Sequence, residues 1–277
     1  MARQRLGQHF LSDENWREQI AREIGVSRNT SNFSVGAEPK EFCWIEIGGG
    51  HGEMTEHLAS SGRPVITVEL DSPLAKRLQT MAAHFPNLGV HHGDVLKTDL
   101  RALAAGRRIK IYGNLPYYIT SPILHHLFEF ADLIDEIHIV IQMEVALRLI
   151  AKPGTRDYGY LSVLTQYFSW PLIAAEIPPE AFRPPPEVGS ALASMRLPGD
   201  RTALPKTDKE KFLEFVKACF AQKRKTLVNN LRAISEPDAM RGILVAFGLT
   251  PEARAEELSV RQLAELFAKL GPLNSSA

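Results

Sequence analysis

The chain has 277 residues, 44% of them hydrophobic, and its 32 Lys plus Arg balance its 32 Asp plus Glu. That length makes two domains the expectation and that apolar fraction fills a sizeable core, while zero net charge confines any polyanion-binding surface to a local patch. Only Cys43 and Cys219 occur, far apart, which excludes a disulfide scaffold and a cysteine-rich zinc site and fits a reducing cytoplasm.

The first residues, MARQRLGQHFLSDENW, lack the apolar centre of a signal peptide, and no run approaches the roughly 20 apolar residues of a membrane span, so a soluble cytoplasmic protein is expected. Arg3 and Arg5 admit two readings, phosphate contact or a basic terminus, and His9 is equally open. Ser12 or Asp13 is placed to cap a helix reaching about Ile24, with Trp16, Ile20 and Ile24 on one face. Residues 25–41 are polar and read as a long surface loop.

Phe42–Ile47 reads as a buried strand running into Gly48-Gly49-Gly50-His51-Gly52, with a helix following from about Glu53 to Ala59. Glycines at a strand-to-helix turn let the backbone approach a ligand closely, and the helix start offers free N–H donors. The next strand, Val65–Glu69, ends in an acid at the spacing where nucleotide folds bind ribose hydroxyls, so the pair points to an adenosine-containing cofactor. Asp71, Ser72 and Pro73 open another helix. A third strand ends at Asp94, which can accept from the amine of that adenosine. Strand alternation turns His91 and His92 to opposite faces, so no metal site is expected.

The fourth strand, Ile109–Tyr112, stops at Gly113-Asn114-Leu115-Pro116-Tyr117. Gly113 and Pro116 force a turn there. The Asn114 carboxamide oxygen and the Leu115 or Pro116 carbonyl can each accept one hydrogen of an adenine amine, which frees the nitrogen lone pair for attack, and Tyr117 can stack on the base. The alternative is a strand-ending turn with a self-bonded Asn and a packed Tyr. Ser121-Pro122 starts a helix to about Phe130, and Ile137–Ile141 is a fifth strand. Alternating strands and helices indicate a parallel doubly wound α/β sheet, with Gly48, Glu69, Asp94 and Asn114 all at strand carboxyl ends where such sheets place ligands. Two further strands, near 172–177 and 191–197, can form a hairpin at one edge of a seven-stranded, Rossmann-like sheet, an arrangement that resembles the methyltransferase variant of the fold. The proline-stiffened segment between them displays Phe182 as a second stacking plate for a flipped base or serves as a connector. Helices at 209–221, 226–234, 238–247 and 260–270, the last with a Ser259–Gln262 capping box, make a smaller all-α C-terminal domain. The boundary is set at 1–200 and 201–277. Lys223, Arg224 and Lys225 at a helix junction suit RNA phosphates or a solvated face.

The segments GQHFL (7–11), EIGGGHG (46–52), VELD (68–71), GD (93–94), GNLPYYIT (113–120), YGYLSVLTQYF (158–168), FRPPPEVGSA (182–191) and QKRKTLVNNL (222–231) closely resemble the bacterial small-subunit ribosomal RNA adenine dimethyltransferases, in order and over nearly the whole chain. The resemblance implies S-adenosylmethionine as cofactor and dimethylation of two adjacent adenosines near the 3′ end of 16S rRNA, within an immature small ribosomal subunit, by a monomer. It also implies that His9 and Leu11 line the cofactor pocket, that Gly48 and Gly50 approach the cofactor's amino-acid end, that Glu69 takes the ribose and Asp94 the adenine, and that Asn114 bridges cofactor and target. In-line transfer with no metal, no covalent enzyme intermediate and no dedicated general base is the expected chemistry. Gly49 stands where the family usually has Pro, His51 where it has Leu, and Met143 where many relatives have Lys. The 23S rRNA adenine methyltransferases of macrolide resistance share the fold, and a non-catalytic assembly factor is the alternative of another class.

Overall fold

The structure, a computed structural model, describes residues 9–26, 42–116, 118–202, 204 and 208–270. Arg3, Arg5, Tyr117 and most of the 25–41 segment lie outside the described residues. The strands are β1 (Phe10–Leu11), β2 (Phe42–Ile47), β3 (Val65–Glu69), β4 (Leu88–His92), β5 (Arg108–Asn114), β6 (Ile134–Gln142), β7 (Trp170–Ile177), β8 (Phe182–Arg183) and β9 (Ser190–Arg196). Seven of them form one sheet in the order β4-β3-β2-β5-β6-β9-β7. Strands β2 to β6 pair in parallel and β9 runs antiparallel to β6. The two strands expected as an edge hairpin are thus neighbours, with β7 outermost.

Local chemistry sets the helices. In α1 (Glu14–Glu23) the Asp13 carboxylate, rather than Ser12, accepts the Trp16 N–H at 3.1 Å. Asp71 does the same for Leu74 at the start of α3 (Ser72–Ala82), where Pro73 occupies the first turn. Between them, α2 (Glu53–Ser60) begins at Gly52 with no side-chain cap. Then come α4 (Leu100–Ala104), α5 (Thr120–Glu129) and α6 (Met143–Ile150).

The central strands are buried along almost their whole length, as a sheet covered on both faces requires. On β5, Ile109 and Ile111 face one way while Lys110, Tyr112 and Asn114 face the other. Register then aligns Thr67, Glu46, Tyr112, His138 and Ser194 in one polar row across β3, β2, β5, β6 and β9. The same face carries an apolar cluster in which Trp44, Leu58, Val140 and Leu192 pack with Ile20 and Ile24 of α1.

The chain divides into two compact units, one running to Ala146 and including Pro171–Leu197, the other made of Leu147–Trp170 and the chain from Pro198. The sequence placed a single boundary at residue 200; the segment 147–170 instead packs with the C-terminal helices. That second unit holds α7 (Tyr160–Phe168), α8 (Lys209–Cys219), α9 (Leu227–Asn230), α10 (Pro237–Ala246) and α11 (Val260–Leu270). Its core is aromatic: Phe212 lies 4.9 Å from Tyr167 and 5.8 Å from Phe267 between ring centres. The Tyr158 hydroxyl donates to the Leu258 carbonyl at 2.9 Å, which ties the 152–158 loop down. Ser259 and Gln262 form the expected capping box. Helix α9 is shorter than the expected 226–234 because Asn230 turns back to donate to the Cys219 and Gln222 carbonyls, satisfying the end of α8.

Candidate active site

A cleft of about 890 Å³, counting its open mouth, runs along the carboxyl ends of β2, β3 and β5, its walls including Gly48, Gly50, Glu69, Asp94, Asn114, Leu115 and Pro116. These residues come from four separate sequence motifs. The parallel strands gather them at one edge of the sheet, and a crossing that the sequence did not signal adds a further wall: β1 and β8 pair antiparallel, Phe10 opposite Arg183 and Leu11 opposite Phe182. The pairing brings His9-Phe10-Leu11 beside the FRPPP segment, and the His9 ring Nδ1 donates to the Pro184 carbonyl at 2.7 Å.

His9 then fixes the central amide. Its backbone carbonyl accepts from Asn114 Nδ2 at 2.9 Å. A carbonyl can only accept, so the NH₂ end of Asn114 must face His9 and Oδ1 is left to accept from another donor. Asn114 is therefore neither self-bonded nor turned into the core. The Leu115 N–H donates to Val140, anchoring the turn to β6, and the Pro116 carbonyl accepts the Ile119 N–H at 3.1 Å. Of the two backbone acceptors considered, Leu115 is the one whose carbonyl takes no hydrogen bond within the turn among the described residues.

At the glycine turn, Gly48 has φ +74 and a Cβ built there would meet nothing within 4 Å, so its backbone is bare toward the cleft. Gly49 explains a departure from the family pattern: any Cβ would lie 2.3 Å from Thr67 Oγ1 and 2.9 Å from Leu78, leaving no room for a proline ring. The Gly50 N–H donates to Glu69 Oε2 and the Asp71 N–H to Oε1, each at 2.9 Å. Glu69 is 4% exposed, and its two oxygens are aimed by backbone while retaining lone pairs for further donors. Asp94 Oδ1 accepts the Leu96 N–H at 3.0 Å, which orients this carboxylate at the cleft wall. Two acidic acceptors, an uncovered glycine backbone and the apolar Leu70 and Val95 suit an adenosine carrying an amino-acid chain.

Phe182 requires a correction. It is 1% exposed and packs with Leu11, Ile20 and Ile177 in the core rather than standing on a rigid loop. Its strand pairing turns the ring inward, so it presents no face to a base. Leu11 is also buried; it reaches only a smaller pocket beside the cleft. The sequence reading passed over Phe10, Leu70 and Tyr118, all of which line the cleft, with Leu70 59% and Tyr118 62% exposed. The signal available for Tyr118 was its place directly after the Asn-Leu-Pro-Tyr turn. Lys223, Arg224 and Lys225 are exposed together on the loop before α9, in the second unit.

Comparison with known proteins decides what this cleft belongs to. The description "ribosomal RNA adenine dimethylase" matches residues 1–271. The chain belongs to the ribosomal RNA adenine dimethylase family. It is 41% identical to a ribosomal RNA small subunit methyltransferase A of Acidobacterium capsulatum, covering 96% of this chain and 90% of that one. With its counterpart from Shewanella sp. (strain MR-7) the identity is 37%, covering 94% and 91%. Among solved structures, a dimethyladenosine transferase from Plasmodium falciparum superposes with TM-score 0.75 at 21% identity over 95% of this chain and 99% of that one, a likeness of fold. The 23S rRNA methyltransferase ErmE gives TM-score 0.65 at 25% identity over 94% and 99%. This dimethylase is thus a methyltransferase of ribosomal RNA adenine on a seven-stranded Rossmann-like sheet. Among the described residues no helix is long and apolar enough to cross a membrane.

Proposed function

We propose that this dimethylase transfers methyl groups from S-adenosylmethionine to the exocyclic amines of two adjacent adenosines near the 3′ end of 16S rRNA, on an immature small ribosomal subunit. The observation that carries the reading is the Asn114 amide, pinned by His9 and with no donor to its oxygen among the described residues, on the wall of the cleft that also holds Glu69 and Asp94. The names of its relatives, small subunit methyltransferase A, support the small-subunit substrate.

Glu69 would take the ribose hydroxyls, Asp94 the cofactor's adenine amine, and Gly48 and Gly50 the amino-acid chain, with His9 and Leu11 shaping the near wall. When bound, the cofactor supplies a methyl group already activated on a sulfonium. The chain's own contribution is then position and electrostatics. Asn114 Oδ1 and the Leu115 carbonyl each accept one hydrogen of the target amine, which withdraws the nitrogen lone pair from the ring and directs it at the methyl. After one transfer a single N–H remains, so one acceptor suffices for the second, and the pocket must admit a methyl beside Asn114. Tyr117 stacks on the flipped base. Lys223, Arg224 and Lys225 hold RNA phosphates, the unit that bears the sheet supplies the methyltransferase domain and the helical unit, 147–170 with the chain from Pro198, the RNA-binding one, and the protein acts as a cytoplasmic monomer.

The test is labelled methyl transfer to unmethylated 30S and 50S particles, with mass-spectrometric mapping of the products. Two dimethylated adenosines in 16S rRNA are expected. Label confined to 23S rRNA would move the protein to the macrolide-resistance type, and no label on either would leave a non-catalytic assembly factor.

A further inference from the structure

Glu46 has no task in the scheme above, yet it is 1% exposed and sits one strand position behind the cleft. Register puts it between Thr67 and Tyr112, and the Thr55 hydroxyl donates to its Oε2 at 2.6 Å. The buried Tyr112 hydroxyl has no hydrogen-bond partner among the described residues. Leaving such a group unpaired costs about 1–3 kcal/mol, so a hydroxyl in that position is expected to serve a mobile partner. A pocket of about 320 Å³, counting its open side, lies against both groups, and Asn114 shares its wall. Because Phe10, Gly48, Gly50 and Asn114 line this pocket and the cleft alike, the two adjoin at the amide that holds the target.

The groups facing Glu46 are Thr55 from α2, Thr67 from β3 and Tyr112 from β5, with the carboxylates of Glu69 and Glu53 nearby. Burial first, and then those two carboxylates, push its carboxyl up to about 7 against the hydrogen bond from Thr55 and the nearby Thr67 hydroxyl. Both protonation states are therefore within reach near neutrality, as a proton acceptor requires.

We propose that this pocket is the exit for the proton shed by the methylated amine, with Glu46 as acceptor and the Tyr112 hydroxyl as relay. The inference rests on the adenine-methylation reading above. As the amine's lone pair forms the N–C bond, the S–C bond breaks and its electron pair stays on sulfur. One N–H proton leaves the nitrogen as that bond forms and passes through the Tyr112 hydroxyl or a water beside Asn114 to the Glu46 carboxylate. The neutral carboxyl returns the proton to solvent before the second transfer. A base seated in the cleft blocks the direct route to bulk water, which gives the side pocket its use.

The experiment is single-turnover methyl transfer to unmethylated 30S particles from about pH 5.5 to about 9, for wild type, E46Q and Y112F, with calorimetric binding of S-adenosylhomocysteine at the same pH values. The wild-type rate is expected to rise through about pH 7. E46Q should be at least roughly 10-fold slower, flat across that range and unchanged in S-adenosylhomocysteine affinity. Y112F, which removes only the hydroxyl, should be slowed at unchanged affinity and carries the same test should E46Q fail to fold. The relay is overturned by a flat wild-type profile, by variants that follow the wild type at every pH, or by affinity falling in step with rate, which would place Glu46 in the cofactor seat. Wild-type protein that transfers no methyl to 30S adenosines would sink the function itself, a distinct result.

Discussion

Glu46 and Glu136 lie on the same face of the sheet, within two strands of each other, in opposite electrostatic surroundings. At the amino ends of the strands, Glu136 accepts from His138 Nε2 at 3.2 Å and pairs with Lys110 at 3.3 Å, while His138 Nδ1 and Ser194 Oγ lie 2.9 Å apart. Lys110 in turn sits 4.7 Å over the Phe42 ring. The His138 hydrogen bond leads in holding the Glu136 carboxyl down at about 2. Burial, with the Glu69 and Glu53 carboxylates nearby, pushes Glu46 the other way, to about 7. Where the sheet has no ligand to receive, its polar groups satisfy one another; behind the cleft they are left with capacity to spare. Unsatisfied burial of that kind marks a site more sharply than charge alone.

The largest effect that tests this contrast is at the cleft. Asn114→Ala should lower single-turnover methyl transfer by about 10²–10³-fold, the scale for removing one pre-aimed polar partner, while RNA binding persists. Undiminished turnover would refute the role given to Asn114. Next come the two carboxylates, read by denaturant unfolding against pH. Glu46 binds its proton more tightly folded than unfolded, so its contribution is fully present below its ordinary value of 4.5 and is lost as pH rises to about 7, a swing of roughly 3 kcal/mol that E46Q should remove. Glu136 has the reverse sign: its stabilisation is present above 4.5 and lost as pH falls towards about 2, and E136Q should erase it. With Glu136 partly in solvent, about 2 kcal/mol is the expected size. Equal slopes in both variants would dissolve the distinction.

Smaller again, Glu69→Gln should weaken S-adenosylhomocysteine binding by about 10–100-fold, the worth of charge-assisted hydrogen bonds, with the protein's fold unchanged by circular dichroism. The smallest effect is expected in the second unit. Replacing Lys223, Arg224 and Lys225 with Ala should weaken RNA binding and lower the slope of log affinity against log salt by about 2–3, and an unchanged slope would return that loop to an ordinary solvated surface.

Much of the cleft was legible because its signals are local. A glycine turn after an apolar strand, an acid closing the next strand, and Asn-Leu-Pro at the end of a third each fix backbone shape within a few residues. The caps at Asp13 and Asp71 and the box at Ser259 followed from the same short-range chemistry. Phe182 shows where this stops. A proline-rich segment stiffens its own backbone but does not say which way an aromatic beside it will turn, and that choice fell to a two-residue pairing with β1 from the far end of the chain. The compact units depart from a boundary at residue 200 for a similar reason. The 147–170 segment is a helix end, a loop and a helix either way, and only its packing assigns it to the C-terminal unit.

By itself the sequence determined the order of strands and helices, the turns that end at Gly48, Glu69, Asp94 and Asn114, and the family, since each is written in neighbouring residues. Tertiary structure alone decided that the His9 carbonyl would orient the Asn114 amide, that Phe182 would be buried, and that Thr67, Glu46, Tyr112, His138 and Ser194 would form one row. Those outcomes depend on sheet register and on contacts between residues more than a hundred positions apart, which no local propensity encodes.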